Sequence, residues 1–67
     1  MIVSVNGEQL QLEAEASLLM VLEKKDWHQK NGIAVAINEH VVPRAEWSTT
    51  HLKNNDTILV ITATQGG

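Results

Sequence analysis

Few residues of this chain have side chains able to do chemistry, and most stand in patterns that exclude it. Cys is absent from the 67 residues, so thiol nucleophiles, disulfides and thiolate metal sites are excluded together. His28, His40 and His51 are widely separated and lack metal-ligand spacing such as H-x-x-x-H. Glu13 and Glu15 stand just before a helix start, where solvated charge is expected rather than acid–base work. Neither a Ser/His/Asp arrangement with recognisable context nor a phosphate-cradling Gly loop occurs. What is left is Gly66-Gly67, the last two residues of the sequence. Without Cβ atoms, such residues can thread a narrow channel and take dihedrals closed to other residues. The α-carboxylate of Gly67 could then reach into another protein's active site. An acyl-phosphate linkage from ATP would make its oxygen a leaving group. In that reading the terminus is the substrate, and a partner supplies the catalytic groups. On the residues alone, an idle terminus or a cloning remnant is the other reading.

The rest of the chain must position that terminus, and its composition bounds how. Sixty-seven residues hold one small domain. Eight acidic against five basic residues give a net charge of −3, which excludes nucleic acid as a first choice of partner. No apolar run approaches the roughly 20 residues of a membrane-spanning helix. Met1 to Val5, broken by Ser4, is too short for a signal-peptide core, so a cytoplasmic, reduced compartment is expected. Hydrophobic residues are 43% of the chain but aromatics only 3%, so Leu, Ile and Val must build the core, with Trp27 and Trp47 as packing anchors. A domain this size buries only about 60% of its unfolded surface and rarely shapes a catalytic cleft alone. A protein acted upon by others, rather than an enzyme, is expected.

Local patterns give the elements. Ile2–Val5 and Glu8–Leu12 flank Asn6-Gly7, the strongest short hairpin signal, and Leu10 and Leu12 alternate with polar neighbours. Ser17 predicts a helix N-cap, with Leu18, Val21 and Leu22 on one face, Leu19 at its edge and Met20 opposite. Met20 in place of Glu or Gln leaves the capping box incomplete. Lys25 falls on the apolar stripe, its stem packing and its ammonium snorkelling outward, and the helix should fray near Asp26. Asn31-Gly32 turns into the alternating Ile33–Ile37, and Asn38-Glu39-His40 connects this to Val41-Val42, ended by Pro43. Arg44 to Leu52 has no clear period and reads as irregular or a single helical turn. Asn54-Asn55-Asp56 is a turn of residues tolerant of left-handed backbone, feeding the strongly β-prone Thr57–Thr62.

This last strand is apolar on both faces, as a central strand is. The economical arrangement sets the first and last strands side by side and parallel, with the helix across one face. That is an α+β fold, a β-grasp or ubiquitin-like roll of four to five strands. The domain spans residues 1–63, and 64–67 form a tail ending in Gly-Gly. One side of the last strand then lies away from the helix. Leu59 and Ile61, beside Ala34 and Ala36, are the preferred outward set, with Ile58 and Val60 the reverse choice. Such an apolar face fits partner docking, and ordinary surface hydrophobicity is the competing reading. Arg44 either grips a partner or braces its own loop.

Val42-Pro43-Arg44, Trp47, Leu52, Asp56, an apolar strand and Gly66-Gly67 together resemble the sulfur carriers of thiamine biosynthesis, the ThiS family. The Asn6-Gly7 hairpin, the Ser17 helix start and the Ala34-to-Asn38 stretch resemble that family as well, so the likeness covers essentially the whole chain. Pro-Arg-x-x-Trp upstream of Gly-Gly at this length is its most specific part. Two features depart from the family pattern: Asn55 where a Gly often precedes the Asp, and Lys25 on the apolar helix stripe. The resemblance implies that an adenylating enzyme of the ubiquitin-activating type, using ATP and Mg²⁺, converts the Gly67 carboxylate to an acyl-adenylate. A persulfide sulfur donor then displaces AMP to leave a thiocarboxylate, and thiazole synthase takes the sulfur. Gly67 would be the modified residue, with Gly66 and Gln65 the rest of the tail, and the carrier would bind no cofactor itself. A small subunit of molybdopterin synthase, a protein-conjugating modifier and a plain ubiquitin-like interaction module are the alternatives.

Overall fold

The computed structural model describes residues 1–62, so Gln65, Gly66 and Gly67, and the domain limit at residue 63, lie outside the described residues. In chain order the elements are β1 (Ile2–Val5), β2 (Glu8–Gln11), α1 (Leu18–Lys24), β3 (Ile33–Ile37), β4 (His40–Val41), a 3₁₀ turn (Arg44–Glu46) and β5 (Thr57–Thr62). They form one mixed five-stranded sheet of order β2-β1-β5-β3-β4, and β1 and β5 are its only parallel neighbours. The expected parallel pairing of first and last strands, with β5 central, is what the sheet has.

The core lies between one sheet face and α1. Val3 and Val5 from β1, Val35 from β3 and Ile58 from β5 bury completely against Leu18, Val21 and Leu22. Trp47 and Leu52 close the rim, and Trp27 packs half-buried at the edge. Each nearly fully buried side chain of this size contributes roughly 1.5–3 kcal/mol of burial free energy, offset by chain entropy.

Two β-hairpins are made by two-residue turns with both residues at positive φ, the type I′ geometry that matches strand twist. Asn6 and Gly7 form the first, at φ of 50° and 85°. Asn38 and Glu39 form the second, at 48° and 72°. The second is tighter than the sequence indicates: His40 belongs to β4, opposite Ile37, and is not part of the connection. A Glu in this conformation is sterically disfavoured, which is why residue preference pointed to a longer link.

Helix α1 departs from expectation at both ends. The capping box is complete: Ser17 Oγ accepts from the Met20 N–H at 3.3 Å, and the Met20 thioether accepts from the Ser17 N–H at 3.5 Å. Sulfur is a weak acceptor but serves here in place of a carboxylate. The next two free N–H groups, of Leu18 and Leu19, donate to the carbonyls of Thr50 and Trp47. The irregular segment after Pro43 thus caps the helix, a role its lack of period conceals. At the other end the helix does not fray. Asp26 takes the left-handed conformation at φ 61°, its N–H donates to the Glu23 carbonyl, and the Trp27 N–H donates to the Leu22 carbonyl. These two bonds make a Schellman motif with Asp in the usual Gly position.

Candidate functional site: an apolar sheet face below the C-terminal strand

Alternation along β5 divides its apolar residues between the two sheet faces. Ile58 is buried beneath α1 and Val60 is half-buried, whereas Leu59 is 48% and Ile61 54% exposed on the opposite face. In the β3–β5 register Ala36 stands opposite Leu59, and Ala34 opposite Ile61. The four residues read from sequence as the outward set therefore share one face. A fifth joins them: Val41 on β4 stands opposite Ala36 and is 73% exposed. Sequence reasoning missed Val41 as part of this face because a two-residue strand is too short to display a period. The arrangement is a shallow trough. The two alanines of β3 form its floor, with Leu59 and Ile61 along one wall and Val41 on the other. The remaining half of the same face, on β1 and β2, carries Ser4, Gln9 and Gln11 and is polar apart from Ile2. At the hairpin end the trough opens into a pocket of about 510 Å³ lined by residues including Asn6, Ala36, Asn38, Thr57 and Leu59.

Arg44 is spent on its own chain. Its guanidinium donates to the His28 carbonyl at 2.9 Å and to the Lys30 carbonyl, and stacks 4.5 Å from the Trp47 ring centroid. Trp47 in turn donates from Nε1 to the Val42 carbonyl at 2.9 Å. Arg44 thereby ties the α1–β3 loop to the segment that caps α1. Lys25 pairs with Glu8 on β2 and lies 5.9 Å from the Trp27 ring, so its stem covers the core edge while its charge is neutralised at the surface. The Lys25 ammonium holds the Glu8 carboxyl below its ordinary pKa, first by the hydrogen bond and then by charge.

Among the described residues no three His, Asp or Glu side chains come together as a metal site, and no helix is long and apolar enough to cross a membrane. The three histidines lie on separate elements, His28 after α1, His40 on β4 and His51 before β5. The described residues thus offer a shaped apolar surface on the sheet face away from α1.

The sequence model of the ThiS family matches residues 2–67, a span that includes Gly66-Gly67. This chain belongs to the ThiS family. A ThiS relative, the sulfur carrier protein ThiS of Escherichia coli (strain K12), is 34% identical over 62 residues, covering 92% of each chain. The fold agrees with solved ThiS structures. A crystal structure of the thiamine biosynthesis protein (ThiS) from Geobacter metallireducens superposes with a TM-score of 0.83, at 22% identity and with both chains fully covered. An NMR solution structure of a thiamine biosynthesis protein from the same organism gives 0.74, covering all of this chain and 88% of that one. The ThiS assignment from Pro43, Arg44, Trp47 and the terminal glycines is borne out, and so is the β-grasp fold.

Proposed function

We propose that this chain is a sulfur carrier of thiamine biosynthesis, a protein substrate rather than an enzyme. The observation that carries the reading is the ThiS family match over residues 2–67, a span that includes Gly66-Gly67. Chemistry then centres on the Gly67 carboxylate. A carboxylate oxygen attacks the α-phosphorus of ATP, held with Mg²⁺ by an adenylating enzyme of the ubiquitin-activating type, and pyrophosphate leaves. A persulfide sulfur attacks the acyl carbon of the adenylate, and AMP leaves. A thiol then cleaves the acyl disulfide and releases the thiocarboxylate, whose sulfur passes to thiazole synthase. The carrier supplies a terminus free of Cβ atoms and, in the Leu59–Ile61–Val41 trough, a surface for docking these partners. The reaction sequence belongs to the cytoplasm, where such thiols stay reduced.

Intact mass after incubation with ATP, Mg²⁺, a persulfide source and the adenylating enzyme tests this. A gain equal to one oxygen replaced by one sulfur, absent when Gly67 is deleted, is the expected result. Unchanged mass, with the enzyme active on a known carrier, overturns the reading. Covalent adducts on lysines would instead mark a protein modifier.

A further inference from the structure

The parallel register of β1 and β5 comprises two pairs, Ser4 with Thr57 and Val5 with Ile58. At Asn6 the chain turns away, at φ 50°, into the first hairpin. Val60, two residues along β5, therefore faces no backbone of β1. Its peptide is nevertheless paired: Asn6 Oδ1 accepts from the Val60 N–H at 2.8 Å, and Asn6 Nδ2 donates to the Val60 carbonyl at 3.3 Å. The backbone N–H of the same Asn6 donates to the Ile58 carbonyl at 2.9 Å. A carboxamide carries the same C=O and N–H pair as a peptide group, so this side chain stands in for one more residue of β1. On its other edge β5 is paired with β3 out to Ile33 opposite Thr62. Val60 is thus the last β5 residue held along the β1 edge, by the Asn6 side chain alone, and the chain runs from there to Gly67.

We propose that the Asn6 carboxamide is a positioning group for the Gly67 carboxylate. By holding Val60 it fixes the end of β5 from which the chain departs toward the adenylating enzyme. The inference rests on the sulfur-carrier reading. It adds a residue remote from the terminus in sequence whose amide, and not merely its turn conformation, serves the reaction. Asn6 touches neither ATP nor the reacting carboxylate; it acts through Val60. Orientation matters because a small angular change at the root of a tethered group displaces its end, and displacements of about 1 Å cost large factors in rate.

Two substitutions separate the amide from the turn. Asn6→Gly keeps the positive φ that the hairpin needs and deletes the carboxamide. Asn6→Asp keeps the acceptor toward the Val60 N–H and loses the donor. Because the carrier is the substrate, a merely structural defect lowers the concentration of folded carrier; it raises the apparent KM and leaves kcat at saturation unchanged. A positioning defect lowers kcat. For adenylation, the expected result is a kcat about tenfold lower in Asn6→Gly with KM within about twofold of wild type, and an intermediate kcat in Asn6→Asp. Wild-type kcat in Asn6→Gly overturns the proposal. Amide hydrogen exchange provides a readout independent of any enzyme. Exchange at Val60 should be about tenfold faster in Asn6→Gly than in wild type, with Ala36 unchanged. Equal protection of Val60 in both proteins also overturns it. If the wild-type chain is not adenylated at all, the carrier reading fails and takes the positioning role with it, whatever Val60 exchange reports about the clamp.

Discussion

Asp56 holds the Asn38 turn and the Lys53 backbone through its carboxylate and β1 through its carbonyl. Its Oδ1 accepts from Asn38 Nδ2 at 2.9 Å and its Oδ2 from the Lys53 N–H at 2.7 Å, while its carbonyl accepts from the Ser4 N–H at 3.0 Å. Asn38 completes the junction by accepting from the Thr57 N–H at 2.9 Å. The side chain is almost fully buried, so removing it strands two donors with little access to water. Asp56→Ala should cost about 2–3 kcal/mol of unfolding free energy by urea denaturation. Asp56→Asn should cost about 1–2 kcal/mol, since one of its amide hydrogens must face a donor. Glu8 gives a prediction of different sign and setting. Its pKa is lowered in the folded chain by Lys25, so its contribution to stability is present above the unfolded carboxylate pKa and is lost as pH falls through the folded value. Carboxyl NMR titration should find Glu8 below its ordinary range. Both Lys25→Met and high salt should move it upward, because the pair is at the surface and screened.

The seven residues of α1 are too few to hold a helix by propensity, so its ends decide whether it exists. The N-terminal N–H groups are all satisfied, two of them by carbonyls of the segment after Pro43. At the C-terminal end Asp26 occupies a left-handed position that favours Gly. Asp26→Gly should therefore stabilise the protein by about 0.5–1 kcal/mol in thermal or urea unfolding; a loss of stability would mean that the Asp side chain has a compensating partner. The same helix marks where sequence legibility stops. Ser17 and the Leu18–Val21–Leu22 stripe were readable because capping and periodicity are local properties. Completion of the capping box by Met20, and of the N–H groups by Trp47 and Thr50, was not, because a weak sulfur acceptor and a loop distant in sequence leave no local signature. The Asn6-Gly7 hairpin was likewise readable from residue preference. The Asn38-Glu39 turn ran against preference and was read one residue too long. Arg44 shows the same limit: its residue type does not reveal that its guanidinium lies beside the carbonyls of His28 and Lys30.

At the scale of the whole molecule, one sheet face builds the core and the other is half apolar and half polar. The division follows from register: β5 and β3 place Leu59 and Ile61 beside alanines, β4 adds Val41, and β1 and β2 contribute Ser4, Gln9 and Gln11. The outward set on β3 and β5 was legible because both strands alternate clearly. The β4 wall was not, and residues 63–67, the tail among them, lie outside the described residues. In the proposed carrier role the apolar half docks the adenylating enzyme, and the terminus undergoes the chemistry. Substitution should separate the two functions. Leu59→Ser combined with Ile61→Ser removes one wall of the trough without opening the core, since both side chains point away from α1. The unfolding free energy should fall by no more than about 1 kcal/mol, the usual span of strand-surface effects. KM for adenylation should nevertheless rise about tenfold or more, as loss of large anchors at an interface does. The kcat at saturation should stay near wild type, because the docked complex, once formed, presents the same Gly67 carboxylate. Gln9→Ala on the polar half serves as the control and should leave both constants unchanged. Equal KM effects from Gln9→Ala and the double serine variant would mean that docking ignores the apolar division of the sheet. A fall in kcat alone would mean that Leu59 and Ile61 steer the tail rather than bind the partner, as is proposed for Asn6.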